Sequence, residues 1–157
     1  MNESTASPPF TVRRPTEHDA DAISRLASDL GYPASAEIMR VRIRAVSESP
    51  SDSLFVAADS PGIVIGWLHA HSAHLIESGF RVEILGLIIS PLARRAGIGR
   101  ALVAEAERWA RSIGAEVVVV RSNVNRVESH AFYPALGYTS AKTQLVYRKS
   151  LFDGSSQ

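Results

Sequence analysis

The hydrophobic and polar positions of the chain recur with two periods, one typical of helices and one typical of strands. Apolar residues at helical spacing predict helices over residues 16–30, 34–47, 97–113 and 126–136. Short apolar and β-branched runs predict strands over residues 10–13, 54–58, 63–70, 82–89, 116–121 and 145–149. Strands and helices mixed in this order predict an α/β fold, with a mixed central sheet and helices on both faces in a single domain.

The segment 82–89 is a nearly unbroken apolar run, which predicts a central strand that is covered on both faces. Four consecutive valines predict a second buried strand over residues 116–121. Because the helix 97–113 connects these two strands, we expect a right-handed crossover with parallel pairing between them.

Length and composition set the class of protein. A chain of 157 residues with 45% hydrophobic and 21% charged residues predicts one globular domain, which we expect to span residues 10–150 between disordered tails over 1–9 and 151–157. A net charge of +1 argues against nucleic acid and membrane partners. The lack of cysteine excludes disulfides, thiolate zinc sites and a cysteine nucleophile. With no signal-peptide pattern and no apolar run of bilayer length, we expect a cytoplasmic protein.

The segment 90–100, between a strand and a helix, carries the clearest candidate chemistry. Its two glycines, at alternate positions, let backbone N–H groups approach a bulky anion at the start of a helix. First helical turns usually hold acidic residues, yet this one holds arginines: Arg94, Arg95 and Arg100. The pattern favours a pyrophosphate site over the alternative, a solvated arginine cluster beside a glycine-rich turn. The segment does not match a dinucleotide fingerprint, because Leu102 stands where that motif requires a small residue. It does not match a Walker loop either, because it contains no Gly-Lys-Ser/Thr.

The spacing Arg94-x-x-Gly97-x-Gly99 resembles the acyl-CoA pyrophosphate motif of the GNAT acetyltransferases, which reads Arg/Gln-x-x-Gly-x-Gly/Ala. A second segment, residues 126–138, is similar to the closing helix of that family, with an aromatic-Tyr pair and a Gly-Tyr end. The two segments stand in the family's order, and the resemblance covers about residues 10–150.

This resemblance implies an N-acetyltransferase of GNAT-like fold, with acetyl-CoA as acyl-donor cosubstrate. We expect direct transfer, in a ternary complex, to an amine of a small molecule or peptide. The alternative is a non-catalytic acyl-CoA-binding sensor or regulatory module. The expected partners are therefore acetyl-CoA and an amine acceptor, without nucleic acid, membrane or metal. The identity of the amine and the oligomeric state stay open, with a homodimer as one option.

Two residues match the family's catalytic positions. Glu83 is the acid within the apolar strand, and it aligns with a glutamate that acts as general base, directly or through water. Burial among apolar neighbours would raise its pKa toward a useful range, whereas the alternative is a solvated carboxylate or a pair with Arg81. Tyr133 matches the tyrosine that protonates the departing sulfur, and the alternative is a core aromatic beside Phe132.

The remaining expected contacts are to the cofactor. Backbone groups of the central strand match the segment that bonds the acyl carbonyl and the pantetheine. Two positions depart from the commoner family pattern, with Arg126 in place of asparagine and Ser129 in place of alanine, so Arg126 is expected to contact substrate or phosphate. The expected cofactor-binding residues are Leu87, Ile88, Ile89, Arg94, Arg95, Ala96, Gly97, Ile98, Gly99, Arg100, Ala101, Arg126, Ser129 and His130.

Three histidines, His69, His71 and His74, raise the question of a metal site. His69 and His71 would share one strand face, but no acid or cysteine stands at a fitting spacing, so we expect no metal. In the family the acceptor site lies at the segments that correspond here to residues 31–47 and 74–80. Its arginines suit a carboxylate-bearing amine or form an ordinary solvated helix face: Arg40, Arg42 and Arg44.

Overall fold

The computed structural model describes residues 9–29, 31–94, 96–122 and 124–152, in two compact units, Met1–Arg121 and Ser122–Gln157. The first unit contains strands β1 (Phe10–Arg13), β2 (Asp52–Asp59), β3 (Val64–Leu75), β4 (Gly79–Ile89) and β5 (Val117–Val120). Its helices are α1 (Ala20–Asp29), α2 (Ala36–Glu48) and α3 (Ile98–Ser112), with short 3-10 turns over Glu17–Asp19 and Pro91–Ala93. The second unit contains helix α4 (Val127–Ala135).

The five strands form one sheet in the order β1-β2-β3-β4-β5. The first three neighbouring pairs are antiparallel, and β4 pairs with β5 in parallel, as the connection through α3 predicts. The sheet is therefore mixed, and the expected α/β fold class is confirmed. The boundaries of a domain over residues 10–150 stay a prediction, and residues 1–8 and 153–157 of the predicted tails lie outside the described residues.

Helices cover both faces of the sheet, as β2 shows most clearly, since its six central residues are all buried. On one face, Leu54 and Val56 pack in a cluster with α1 and α2, to which Trp67 of β3 also contributes. The opposite face carries α3. A Cβ at Gly66, the residue before Trp67, would lie 3.3 Å from the Ile98 Cγ2 at the start of that helix. The same Cβ would lie 3.1 Å from the backbone oxygen of Ile88, so this crowded position favours glycine.

A part-buried ion pair fixes the entry to α1. The Arg13 guanidinium donates to both oxygens of Asp19, at 2.8 and 2.9 Å, and the backbone N–H of Thr16 donates to Asp19 Oδ2 at 2.8 Å. Thr16 is the N-cap residue of the 3-10 turn that precedes α1. These hydrogen bonds, the Arg13 bonds above all, outweigh the effect of burial and hold the pKa of Asp19 below its usual value.

Two expectations about strands are wrong, and a third holds in part. β4 is buried at Val82, Ile84 and Ile88, but its cover is incomplete, because Leu85 is 52% exposed. β5 is at the edge of the described sheet, and none of its valines is buried, since Val117 is 47% exposed and the other three are half-buried. Residues 145–149 form no strand, and their apolar side chains are exposed. A strand requires a paired neighbour, and this segment has none among the described residues. No described helix is both long and apolar enough to cross a membrane.

Candidate active site

The second half of β4 has a backbone edge that the sheet does not use. The ladder between β4 and β5 ends where Ile84 lies opposite Val120, while β4 continues to Ile89. No described strand pairs with residues 85–89 on that side. Alternate backbone N–H and C=O groups along this stretch are therefore open to a ligand. Leu87, Ile88 and Ile89, the expected contacts of the acyl carbonyl and pantetheine, all lie on it.

A β-bulge marks the beginning of this open edge. His69 of β3 lies opposite Gly86, whereas the next residue, Ala70, lies opposite Ile84, so Leu85 is the additional residue on β4. A bulge bends its strand and locally increases the twist, which turns the strand away from its neighbour. The bulge thus coincides with the point at which β4 and β5 part.

The open edge leads into the start of α3. After the 3-10 turn, Gly97 is the N-cap residue of the helix, in a left-handed conformation with φ of 79°. No side chain caps the helix among the described residues, and the N–H groups of a first turn have no intrahelical partners. The side chain of Ile98 is buried at 3% exposure and anchors the helix start to the core. Backbone donors at Ile98, Gly99 and Arg100 are thus presented at a rigid position.

The charge of this helix start suits an anion. The first turn of α3 contains no acidic residue, and Arg94 and Arg100 are exposed beside Gly97 and Ala96. Arg95 lies outside the described residues. Positive side chains at a helix N-terminus oppose the helix dipole unless an anion binds there. Backbone donors, dipole and arginines together can hold a phosphate group, and Ala101 continues the same turn.

Glu83 lies on β4 in surroundings that differ from those expected. Its side chain is only 15% exposed, yet its neighbours are cationic: Arg121 Nη1 lies 3.3 Å from Oε1, and Arg81 Nη2 lies 3.6 Å from Oε2. The expectation of an apolar pocket is therefore wrong, whereas the alternative of a pair with Arg81 is confirmed. The reason is the pleat of the sheet, which places Arg81 and Glu83 on one face and the apolar Val82 and Ile84 on the other.

Tyr133 lies within α4 of the second unit. Its ring makes edge-to-face contacts with Phe132 and Tyr138, at centroid distances of 5.0 and 5.8 Å. Burial raises the pKa of the Tyr133 phenol, and the positive charge of Arg126 acts in the opposite direction. The phenol therefore carries its proton at neutral pH and is able to donate it.

The other predicted residues of the second unit are at the start of α4. Arg126 is the N-cap residue, and its carbonyl accepts a hydrogen bond from the Ser129 N–H at 3.1 Å. Arg126 and His130 are exposed, while Ser129 is half-buried. These side chains are accessible, as contacts to a cofactor require.

A group of three residues that the sequence analysis did not bring together lies on the face of the sheet that carries Glu83. His69 Nε2 and His71 Nδ1 lie 2.8 and 3.1 Å from the same oxygen, Oδ1, of Asp52 on β2. An acid therefore does stand beside these histidines, contrary to the expectation from spacing, because the β2–β3 hairpin brings it there. Within the described residues, no three His, Cys, Asp or Glu side chains are arranged to hold a metal ion.

Two of the three arginines of α2 have acidic partners. Arg44 Nη2 lies 2.7 Å from Glu17 Oε1, and Arg40 Nη2 lies 3.9 Å from Asp21 Oδ1. These contacts favour the interpretation of Arg40, Arg42 and Arg44 as an ordinary charged helix face over that of a carboxylate-binding site.

Comparison with known proteins places this geometry in a family. The chain is 25% identical over 145 residues to an aminoglycoside N(6')-acetyltransferase type 1 of Stenotrophomonas maltophilia, covering 90% of this chain and 94% of that one. It is 37% identical over 78 residues to an aminoalkylphosphonate N-acetyltransferase of Salmonella typhimurium, covering 49% and 51%. The fold matches that of aminoglycoside N-acetyltransferase AAC(6')-Iy in complex with CoA, with a TM-score of 0.81 at 19% identity, covering 92% and 97%.

The model of the acetyltransferase (GNAT) family matches residues 19–138, a segment that includes the open edge of β4, the basic start of α3 and helix α4. The chain therefore belongs to the GNAT family, and it is an acyl-CoA-dependent N-acetyltransferase with acetyl-CoA as its cosubstrate.

Proposed function

We propose that this enzyme moves the acetyl group of acetyl-CoA directly to an amine of a small molecule or peptide, with both substrates bound together. The observation that carries the proposal is the continuous path from the open edge of β4 to the uncapped, basic start of α3. A strand edge suits the amides of pantetheine, and the helix start suits a pyrophosphate. We propose that the reaction takes place in the cytoplasm. A chain without cysteine has no disulfide to maintain, and it therefore fits a reducing compartment.

Each chemical step has a candidate residue. Backbone N–H groups of Leu87 to Ile89 hold the thioester carbonyl as negative charge grows on its oxygen. Glu83 attracts the ammonium and accepts its proton, directly or through water. Tyr133 gives its proton to the sulfur as the C–S bond breaks, and its raised pKa keeps that proton in place until then.

For the pyrophosphate, we propose contacts from the start of α3 and from the arginines beside it. The proposed residues are Arg94, Arg95, Ala96, Gly97, Ile98, Gly99, Arg100 and Ala101. Arg126, Ser129 and His130 are proposed as further contacts from the second unit. Acetyl-CoA at one hundred times its Kd is expected to stabilise the fold by about 2.7 kcal/mol. A thermal shift with acetyl-CoA, and none with NAD or ATP, tests this assignment.

The charges near Glu83 bear on the acceptor. The carboxylates of Glu83 and Asp52 on this face already have guanidinium and imidazole partners, which leaves little negative charge for a polycation. We therefore favour an amine with a single cationic group over a polycationic aminoglycoside. The test compares kcat/KM for amino acids, aminoalkylphosphonates and peptide N-termini with that for aminoglycosides and polyamines. A higher value for the polycations would contradict this choice.

A second function, a non-catalytic acyl-CoA sensor, is favoured by one observation, the engagement of Glu83 by two guanidinium groups. A carboxylate held by two guanidinium groups can serve as a structural ion pair instead of a general base. Binding of acetyl-CoA without acetylation of any amine would support the sensor. For both the enzyme and the sensor we propose a homodimer as the oligomeric state, and analytical ultracentrifugation of the purified protein tests it.

A further inference from the structure

Three titratable residues form a row across the sheet. Asp52 of β2 lies opposite His71 of β3, and His71 lies opposite Glu83 of β4. Side chains that are directly opposite in antiparallel strands lie on the same face, with Cβ atoms about 4.5–5.5 Å apart. The row therefore connects the proposed site of proton removal to a carboxylate two strands away.

Asp52 is held in place and ionised. Its Oδ2 accepts a hydrogen bond from the Ser49 hydroxyl at 2.6 Å, and its Oδ1 lies within 3.1 Å of both histidines. Burial acts to raise the pKa of the Asp52 carboxyl, but the bonds from Ser49, His69 and His71 outweigh it, and the pKa is lowered. Asp52 therefore acts as an acceptor of hydrogen bonds from both rings.

An ionised carboxylate fixes the tautomers of the two rings, because it has no proton to give. His71 must carry its proton on Nδ1, which leaves the lone pair of the neutral ring on Nε2. His69 must carry its proton on Nε2, which leaves its lone pair on Nδ1, the nitrogen nearer to the main chain. His71 is also the more exposed of the two, at 41% against 24%. His71 alone of the pair therefore presents its outer nitrogen as a base.

Glu83 is held between two guanidinium groups. Protonation of Glu83 would leave the Arg81 guanidinium, whose side chain is only 18% exposed, without its counter-charge, whereas the Arg121 side chain is 60% exposed and is solvated. The Nε of Arg81 is buried and has no hydrogen-bond partner among the described residues. Loss of the negative charge beside the Arg81 guanidinium is therefore costly. A second proton acceptor beside Glu83 would let Glu83 keep that charge.

We propose that His71, oriented by Asp52, is the base that finally holds the proton of the ammonium, while Glu83 keeps its charge. This inference rests on the proposed acetyl transfer. One N–H bond of the ammonium breaks and a new bond forms at His71 Nε2, directly or through Glu83 and water. The freed lone pair forms the C–N bond with the thioester carbon, and the C–S bond breaks. As the amide forms, the nitrogen loses a second proton, which balances the proton that the departing thiolate takes up to become a thiol. His71 then releases the first proton to water.

The charged groups that face His71 define the expected pH dependence: Asp52 on β2, His69 on its own strand and Glu83 on β4, with Arg81 and Arg121 beyond Glu83. In His71→Gln, kcat with a saturating amine should fall about 10²-fold at pH 7. The loss should shrink as pH rises toward the amine pKa of about 10, where the substrate loses its proton to water. The Kd for acetyl-CoA should not change.

Two comparisons make the test specific. His18→Gln, at an exposed position in the 3-10 turn, should keep wild-type kcat, and His69→Gln should keep the wild-type shape of the pH profile. If His71→Gln keeps kcat and its pH profile in a wild-type background that acetylates the amine, Glu83 is the sole base. The inference is then overturned while the proposed function stands. If wild type binds acetyl-CoA but acetylates nothing, the proposed function fails instead.

A second measurement needs no substrate. Long-range ¹H–¹⁵N NMR of the free enzyme reports which nitrogen of each neutral imidazole carries the proton. The proposal predicts Nδ1–H for His71 and Nε2–H for His69. A neutral His71 with its proton on Nε2 would leave no lone pair on the outer nitrogen, and the proposal would be wrong even if the variants fail to fold.

Discussion

Gly97 is a position at which backbone strain and charge can be varied separately. Its φ of 79° is unfavourable for residues with a side chain, but a Cβ there would meet no atom within 4 Å. Gly97→Ala should therefore lower the free energy of unfolding by roughly 1–2 kcal/mol, through strain alone. Asparagine and aspartate enter the left-handed region more readily than alanine, so Gly97→Asn and Gly97→Asp should cost less.

The effect on binding depends on charge. A carboxylate about 4 Å from a phosphate charge repels it by about 4 kcal/mol at an effective dielectric constant of 20, before screening by salt. Gly97→Asp should therefore weaken acetyl-CoA binding by roughly 10²–10³-fold, allowing for that screening. Gly97→Asn has nearly the same shape without the charge, and it should bind within about tenfold of wild type.

Isothermal titration calorimetry at fixed ionic strength measures the Kd for acetyl-CoA of each variant relative to wild type. Urea unfolding shows whether each variant is folded. The gap between the aspartate and asparagine variants should narrow as salt is added, because the carboxylate is at the surface. Equal affinity of folded Gly97→Asp and Gly97→Asn at low salt would refute the assignment of this helix start to the pyrophosphate.

Three further predictions concern the acid, the entry to α1 and the core. Tyr133→Phe should lower kcat about 10²-fold with little change in the Kd for acetyl-CoA, and unchanged kcat would make Tyr133 a packing residue. The pKa of Asp19 is lower in the native state than in the unfolded state. The ionised carboxylate therefore contributes to the free energy of unfolding above the unfolded pKa of about 3.9, and this contribution is lost as pH falls through the native pKa. Asp19→Asn should thus cost about 2–3 kcal/mol in urea unfolding at pH 7 and progressively less toward pH 2, whereas a constant difference would contradict this sign. Leu102→Ala, at a residue with no exposure, should cost about 2–5 kcal/mol at both pH values.

The helices could be predicted from sequence because their signals are local. The apolar stripe and Gly97 place the start of α3 to within a residue, and Gly97 is left-handed as its position requires. Strands β2 and β3 follow from the short apolar and β-branched runs over residues 54–58 and 63–70, and the structure extends both strands. The mixed sheet then follows from the order of these elements, since the α3 crossover requires parallel pairing.

The features that sequence could not predict depend on contacts between distant residues. Asp52 meets His69 and His71 only because the register of the β2–β3 hairpin places it opposite His71, with His69 two residues away on the same face of β3. Arg121 reaches Glu83 only after the crossover returns the chain to β4. Residues 145–149 have the composition of a strand, but pairing decides strand formation, and it is absent there among the described residues.

The most direct test of the account follows both products of one reaction. Purified enzyme and acetyl-CoA are incubated with each amine of the panel, and free coenzyme A thiol and acetylated amine are measured together. The account predicts that, for at least one amine, thiol release and acetylated product rise in a one-to-one ratio, and that thiol release without an amine stays at the uncatalysed rate. Tight binding of acetyl-CoA with no acetylated product from any amine would contradict it.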